Sequence, residues 1–411
     1  MVYIKGILLS FIVLMVIVFL QSCLFPMNFV NYYILSLDEE KIIASDGSLG
    51  DRFGYSISMS VDGKAFVVGA PLDDDNGLDS GSVYFFQWNG INWVETKITP
   101  TDGSSEDYFG YSVSSAADGK TFVVGAYRDD DNGAESGSAY VFTWNGADWE
   151  EIKVTASDGG SGDRFGYSIS MSADGKTFVV GSYRDDDNGA ESGSAYVFIW
   201  NGIKWVETKI TPADGSSEDR FGYSISLAAD GKTFGVGAYD LKGSIYIFSL
   251  NGTDWIETKI VTSNTINENY LVVSISLSAD GRTFVAGALD NSSGIIYIFN
   301  RNDSNWEETK VITCSSKFGR SVSLSIDGKN LITGAYEMKG NSGSVYVLIM
   351  NGQDWDMSYL YPSNGNHYDQ FGFSVSLAGD GNTFIVGTLR DYDGGTITTD
   401  AGSVYVYTSK K

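Results

Sequence analysis

One histidine, two cysteines and five prolines are spread over 411 residues, and 27 lysines and arginines face 52 aspartates and glutamates. The scarcity of basic residues, with a formal charge of −25, excludes nucleic acid as a partner, because phosphate binding needs clustered Lys and Arg. Two cysteines build no disulfide framework. Cys23 closes an N-terminal apolar segment, so it is not expected to pair with Cys314, which reads as a small apolar residue beside a strand end. The lone histidine, His367, sits in the polar run 364–368 and reads as a solvated loop residue. Serines recur identically along the chain and no carboxylate pair stands apart, so neither a nucleophile nor an acid–base pair is marked out, and no enzyme is expected.

What is abundant is glycine (49), tyrosine (25) and phenylalanine (23), the material of strands and tight turns. Phe53-Gly54, Phe109-Gly110, Phe165-Gly166 and Phe221-Gly222 lie 56 residues apart, each followed by Tyr-Ser and a short alternating run. A degenerate copy at Leu271-Val272 and two more at Phe318-Gly319 and Phe371-Gly372 make seven units. Repetition at this period signals modules that bury their apolar faces against one another.

One unit reads as four strands. In the second, the alternating run 109–115 is the first strand, and Ala117-Asp118-Gly119-Lys120 is expected to be a type I′ hairpin turn. The apolar run 121–126 is the second strand. A polar loop, 128–137, leads to the third at 138–144, and Asn145-Gly146 turns into the fourth at 149–155. Four antiparallel strands per unit and seven units predict an all-β fold, a seven-bladed β-propeller. The last unit lacks its fourth strand, while Glu39-Glu40-Lys41-Ile42 aligns with Glu95-Thr96-Lys97-Ile98 at the same offset of 56. The N-terminal strand should therefore complete the last blade, closing the ring over residues 39–411 and removing exposed sheet edges. Leu37 falls where Trp93, Trp149 and Trp205 fall, and those tryptophans read as blade packing.

The residues that repeat carry a resemblance. Phe53-Gly54-Tyr55-Ser56, then Val68-Gly69-Ala70-Pro71, then Gly81-Ser82, is similar to the FG-GAP repeat of integrin α-chain propellers and of bacterial surface proteins. The resemblance covers residues 39–408 and implies an extracellular propeller used for binding or adhesion. The integrin calcium loop does not carry over, since short turns such as Val61-Asp62-Gly63-Lys64 stand in its place, with too few oxygens for calcium.

Acidic loops occupy another position. The loops joining strands two and three (73–80, 129–136, 185–192) and those joining one blade to the next (102–107, 214–219) should emerge on one face and give it a negative rim. Alternate carboxylates beside a glycine, at Asp73 and Asp75, Asp129 and Asp131, and Asp185 and Asp187, are the candidate metal ligands, with calcium as the candidate ion. The competing reading is that these side chains cap their own turns. The loops shorten in blades four and five and lengthen again at 390–400, so blades seven, one, two and three form the expected binding arc.

Residues 1–23 read as a secretory signal ending in a lipobox, Leu20-Gln21-Ser22-Cys23, with Cys23 lipidated. An uncleaved anchor over 4–25 and ordinary cleavage are the alternatives, with 24–38 as linker. All three export the array. The expected function is a membrane-anchored, surface-exposed, monomeric module that binds a protein or glycan ligand at the acidic rim, with a scaffold subunit of a surface complex as the second reading.

Overall fold

The computed structural model describes residues 37–240, 243–263, 271–290, 293–303, 305–352, 354–391 and 401–410. The expectations for Cys23, for an N-terminal anchor and for most of the loop at 390–400 fall outside them. Seven four-stranded antiparallel sheets are formed. Blade one comprises Ser56–Met59, Ala65–Ala70, Ser82–Trp88 and Trp93–Ile98. Blades two to six follow in chain order. Blade seven takes Phe371–Leu377, Thr383–Thr388 and Ser403–Ser409, and then Leu37–Ile42 from the other end of the chain, paired antiparallel from Leu37 opposite Ser409 to Ile42 opposite Val404. Closure by the N-terminal strand is thus observed, in the register that the offset of 56 implied.

The Phe-Gly and Gly-Ala pairs form the blade-to-blade joint. A β-carbon on Gly125, in a second strand, would lie 2.0 Å from the carbonyl oxygen of Gly166 in the next blade. Ser112 Oγ donates to that same carbonyl at 2.8 Å. The arrangement repeats around the ring and crosses its seam, where Ser374 Oγ donates to Gly54 O at 2.7 Å and Gly387 meets the same carbonyl. Glycine is required on both sides, since Gly54 and its equivalents also hold φ near +90°. Phe53 is fully buried edge-on to Tyr84, 5.2 Å between ring centroids. Burying one such side chain contributes roughly 1.5–3 kcal/mol. Each joint has its own apolar core; the one at the seam mixes Ile42, Ile385 and Val404 with Phe53, Phe66 and Tyr84. Trp93, Trp149 and Trp205 pack edge-on against Phe66, Phe122 and Phe178, each at 4.7 Å, as expected of packing residues.

Two local expectations are corrected. The Asp-Gly hairpins are not type I′, because Asp118 keeps a negative φ and only Gly119 is positive, at +67°. Gly119 N donates back to Ala116 O, a type I turn followed by a left-handed glycine. The Asp side chain favours it by accepting from the backbone of Lys120, two residues on. Cys314 is buried and disulfide-bonded, where an unpaired residue was expected.

Candidate functional site

The six predicted metal ligands are brought together in pairs, and a lysine ammonium stands at the centre of each pair. Lys97 Nζ donates to Asp46, Asp73 and Asp75 at 2.8, 2.9 and 2.6 Å. Lys153 repeats this with Asp102, Asp129 and Asp131, and Lys209 with Asp158, Asp185 and Asp187. A buried tyrosine completes each cluster from below: Tyr84 OH lies 2.8 Å from Asp46 and 3.1 Å from Asp73, and Tyr140 and Tyr196 take the same place in the next two blades. Among the described residues no group of three or more His, Cys, Asp or Glu is placed to hold a metal ion.

The clamp follows from strand geometry. Lys97 lies in the fourth strand directly opposite Tyr84 in the third, so both side chains point to the same face and reach the loop that leaves the second strand. The first aspartate of each loop is the buried one: Asp73, Asp129 and Asp185 are 2–3% exposed. Their other oxygens fold the loop, accepting from the backbone N–H of Asp75, Asp131 and Asp187. The same carboxylates thus cap their own turns, as the competing reading expected, and pair with the lysine. Burial alone would push the Lys97 ammonium down, but its hydrogen bonds to Asp46, Asp75 and Asp73 hold it above the ordinary lysine range. Burial would likewise raise Asp46, and the bonds from Lys97 and Tyr84 bring it below the usual carboxylate value.

The clamp is a property of one arc. Lys41 in blade seven occupies the equivalent place and pairs with Asp391 at 2.6 Å. In blade four Lys259 reaches only Asp214 and Tyr246, and Asp240 turns to Ser244. In blade five Lys310 reaches across to the exposed Asp354, and in blade six Tyr359 stands where the lysine would be. Within the arc picked out by loop length, blades one, two and three have their loops tied down. Sequence reasoning missed the lysines, although their recurrence at 41, 97, 153 and 209 carries the same period as the aspartates.

Inside the acidic loops the same face carries a basic and aromatic band. Arg164 pairs with Glu135 at 2.6 Å and donates to Tyr183 OH at 2.6 Å. Arg128 lies over the ring of Tyr108 at 4.8 Å, and Arg220 pairs with Glu191 at 2.7 Å. Asp51, Asp107 and Asp163 are buried where each blade is entered, and burial pushes all three up to about 6. His367 is exposed, as expected of a solvated loop residue.

The central channel is lined by the residue that follows each Phe-Gly. Tyr55, Tyr111, Tyr167 and Tyr223 stand side by side, with neighbouring centroids 4.8–5.0 Å apart. Val273, Arg320 and Phe373 complete the seven positions around a cavity of ≈ 260 Å³.

A model of the FG-GAP repeat matches residues 37–86, 93–142, 149–198, 205–248 and 356–407, more than half of the chain. No curated protein matches it. Among solved structures, the β-propeller domain of Cps50 (Swd1) from Myceliophteria thermophila is similar with a TM-score of 0.57 at 11% identity, over 90% of this chain and 99% of that one. At that identity the likeness concerns the fold alone.

Proposed function

Because the chain belongs to the FG-GAP repeat family, we propose that it is an exported, membrane-anchored propeller whose loop face, over blades seven, one, two and three, binds a protein or glycan ligand. The observation that carries this reading is the threefold lysine clamp. It holds long, acidic, outward-facing loops in one conformation on one arc and is lacking in blades five and six. Loops ordered before contact lose less conformational entropy on binding. The exposed Asp130 and Asp186 remain outside the clamps and are the groups offered to a partner. In this reading the cation that organises each loop is an ammonium supplied by the chain, and calcium is not needed. Glycan-array and surface-protein capture by the full-length protein tests the proposal. Capture abolished by joint Asp130→Asn and Asp186→Asn substitution, and kept by Lys310→Met, supports it; equal capture by all three proteins sinks it. Stoichiometric co-purification with a fixed set of partners would instead favour the scaffold subunit.

Anchoring through the N-terminal segment belongs to the same proposal, as an uncleaved span over 4–25 where Cys314 is oxidised or as a lipid on Cys23 where it is not. The sequence has two cysteines, so a thioether at Cys23 and a disulfide at Cys314 exclude one another within one chain. Intact-mass measurement with thiol labelling separates them: a lipidated chain labels once, at Cys314, and an oxidised chain does not label.

A further inference from the structure

We propose that the axial channel is a carboxylate-binding site, with the Arg320 guanidinium as its cation and the phenols of Tyr55, Tyr111, Tyr167 and Tyr223 as its neutral donors. The seven channel positions are chemically polarised. Four phenols lie on one side, and one arginine, flanked by Val273 and Phe373, lies on the other. The Arg320 guanidinium stacks on Phe373 at 4.5 Å, is half-buried, and has no carboxylate and no hydrogen-bond acceptor among the described residues. The arginines of the inner band in blades two to four pair with glutamates: Arg128 and Arg164 with Glu135, and Arg184 and Arg220 with Glu191. An unpaired guanidinium in an enclosed space is costly unless an anion completes it. The fork of a guanidinium matches a carboxylate bidentately, and the phenols, hydrogen-bonded to one another in a row, leave an O–H donor at the end of that row.

The surrounding groups agree with this placement. Tyr55, which burial raises, is drawn down by the charge of Arg320 across the channel, so the cation faces the phenols. Glu337 is hydrogen-bonded to Tyr336, on which Arg320 also acts. The large negative charge of the rim is screened over a Debye length of about 8 Å at physiological ionic strength. A cavity of ≈ 260 Å³ lies just under the usual range for ligand pockets, so it suits a small organic carboxylate or the carboxylate tip of a larger ligand. The site is independent of the rim loops, and its failure would leave the rim reading untouched.

Titrating the full-length protein with benzoate, with its neutral isostere benzamide and with a short peptide ending in a free carboxylate, followed by ligand-observed NMR, tests it. Benzoate is expected to bind at least tenfold more tightly than benzamide. Arg320→Gln should remove that preference, Arg320→Lys should keep part of it, and Lys310→Met should leave it unchanged. A peptide that binds more tightly than benzoate assigns the carboxylate to a protein partner, and the reverse order assigns it to a small molecule. Equal affinity for benzoate and benzamide, no binding of any probe, or full binding by Arg320→Gln overturns the proposal. If Arg320→Gln does not fold, Tyr223→Phe replaces it: benzoate binding severalfold weaker supports the site, and unchanged binding overturns it.

Discussion

Blades one to three and blades four to six share a strand plan and differ in how they treat the loop after the second strand. In the first group a fourth-strand lysine reaches three carboxylates from two loops at once. In the second the loop is short in blades four and five, and the lysine keeps one carboxylate there and is replaced by Tyr359 in blade six. The joint between blades four and five departs in the same way. Gly237 there faces Val272 of a unit that has lost its Phe-Gly, and a β-carbon would meet side chains of Ser224 and Val272 in place of a carbonyl. The departure is confined to that one joint, since β-carbons on Gly287 and Gly334 would still meet the carbonyls of Gly319 and Gly372. The difference teaches that the strand plan survives the loss of one Phe-Gly joint and, separately, the loss of the clamp.

The largest effect is expected where the comparison is most rigid. Gly125→Ala drives a methyl into the carbonyl of Gly166 with backbone on both sides, and should cost more than about 4 kcal/mol or prevent folding. Gly237→Ala meets only side chains that can shift and should cost about 1–3 kcal/mol. Denaturant midpoints of the two variants, measured side by side, check this. Equal losses would mean that the joint at blades four and five is as tight as the others.

The clamp comes next. Lys153→Met leaves the buried Asp129 without its cation, and because the cluster is partly solvated a loss of about 2–3 kcal/mol is expected. Lys310→Met breaks an exposed pair and should change stability by less than about 0.5 kcal/mol. Hydrogen exchange should show the opening in the first variant confined to 128–137 and the adjoining loop at 101–107. Uniform loss of protection across the propeller would contradict a local clamp.

Acid response should separate the arcs by a smaller margin. Asp51, Asp107 and Asp163, all in the clamped arc, have folded-state values of about 6 against an unfolded value near 3.8. The folded chain then binds more protons than the unfolded one between those limits, so stability falls as pH rises from about 4 to 6. Asp46, Asp102 and Asp158 are lowered and act oppositely, and their contribution is lost only below about pH 4. With solvent screening allowed for, each raised carboxyl is worth on the order of 1 kcal/mol. Melting should therefore be highest near pH 4–5, and the triple variant Asp51→Asn, Asp107→Asn, Asp163→Asn should flatten the decline toward pH 7. A wild-type curve that rises from pH 5 to pH 7 would rule this out.

Much of the fold was legible because the period of 56 residues records a physical joint. A glycine facing a carbonyl tolerates no other side chain, so the Phe-Gly and Gly-Ala pairs stand out in the sequence as they do in the ring. The seam was legible for the same reason, since Lys41 and Leu37 keep the register of Lys97 and Trp93. The clamp was not, because it joins Asp46, Asp73 and Lys97 across 51 residues, and only the carboxylates look unusual one by one. The turn type escaped because Asp-Gly suits two hairpins, and a side-chain hydrogen bond from the aspartate decides between them. The channel escaped because its polarity arises from a single departure, Arg320 where other blades place Tyr55 or Tyr111. That departure has meaning only once the seven positions face one axis.

The smallest expected effect sharpens the comparison furthest, because it asks what kind of cation the clamped arc is built for. If the ammonium is that cation, calcium has no vacant place in blades one to three, and melting with and without millimolar calcium should agree within the error of the measurement. Lys153→Ala empties one cluster while leaving Asp102, Asp129 and Asp131 held by their own backbone bonds and by Tyr140. Calcium should then raise the melting temperature of that variant by a few degrees, since a ligand that binds only the folded state must stabilise it. Lys310→Ala, in the trimmed arc, should acquire no such response. A calcium-induced rise in the wild-type protein would return the six aspartates to the role of metal ligands, with the lysines displaced by the ion. A response in neither protein would show that three carboxylates at this spacing supply too few oxygens for calcium even when the ammonium is gone.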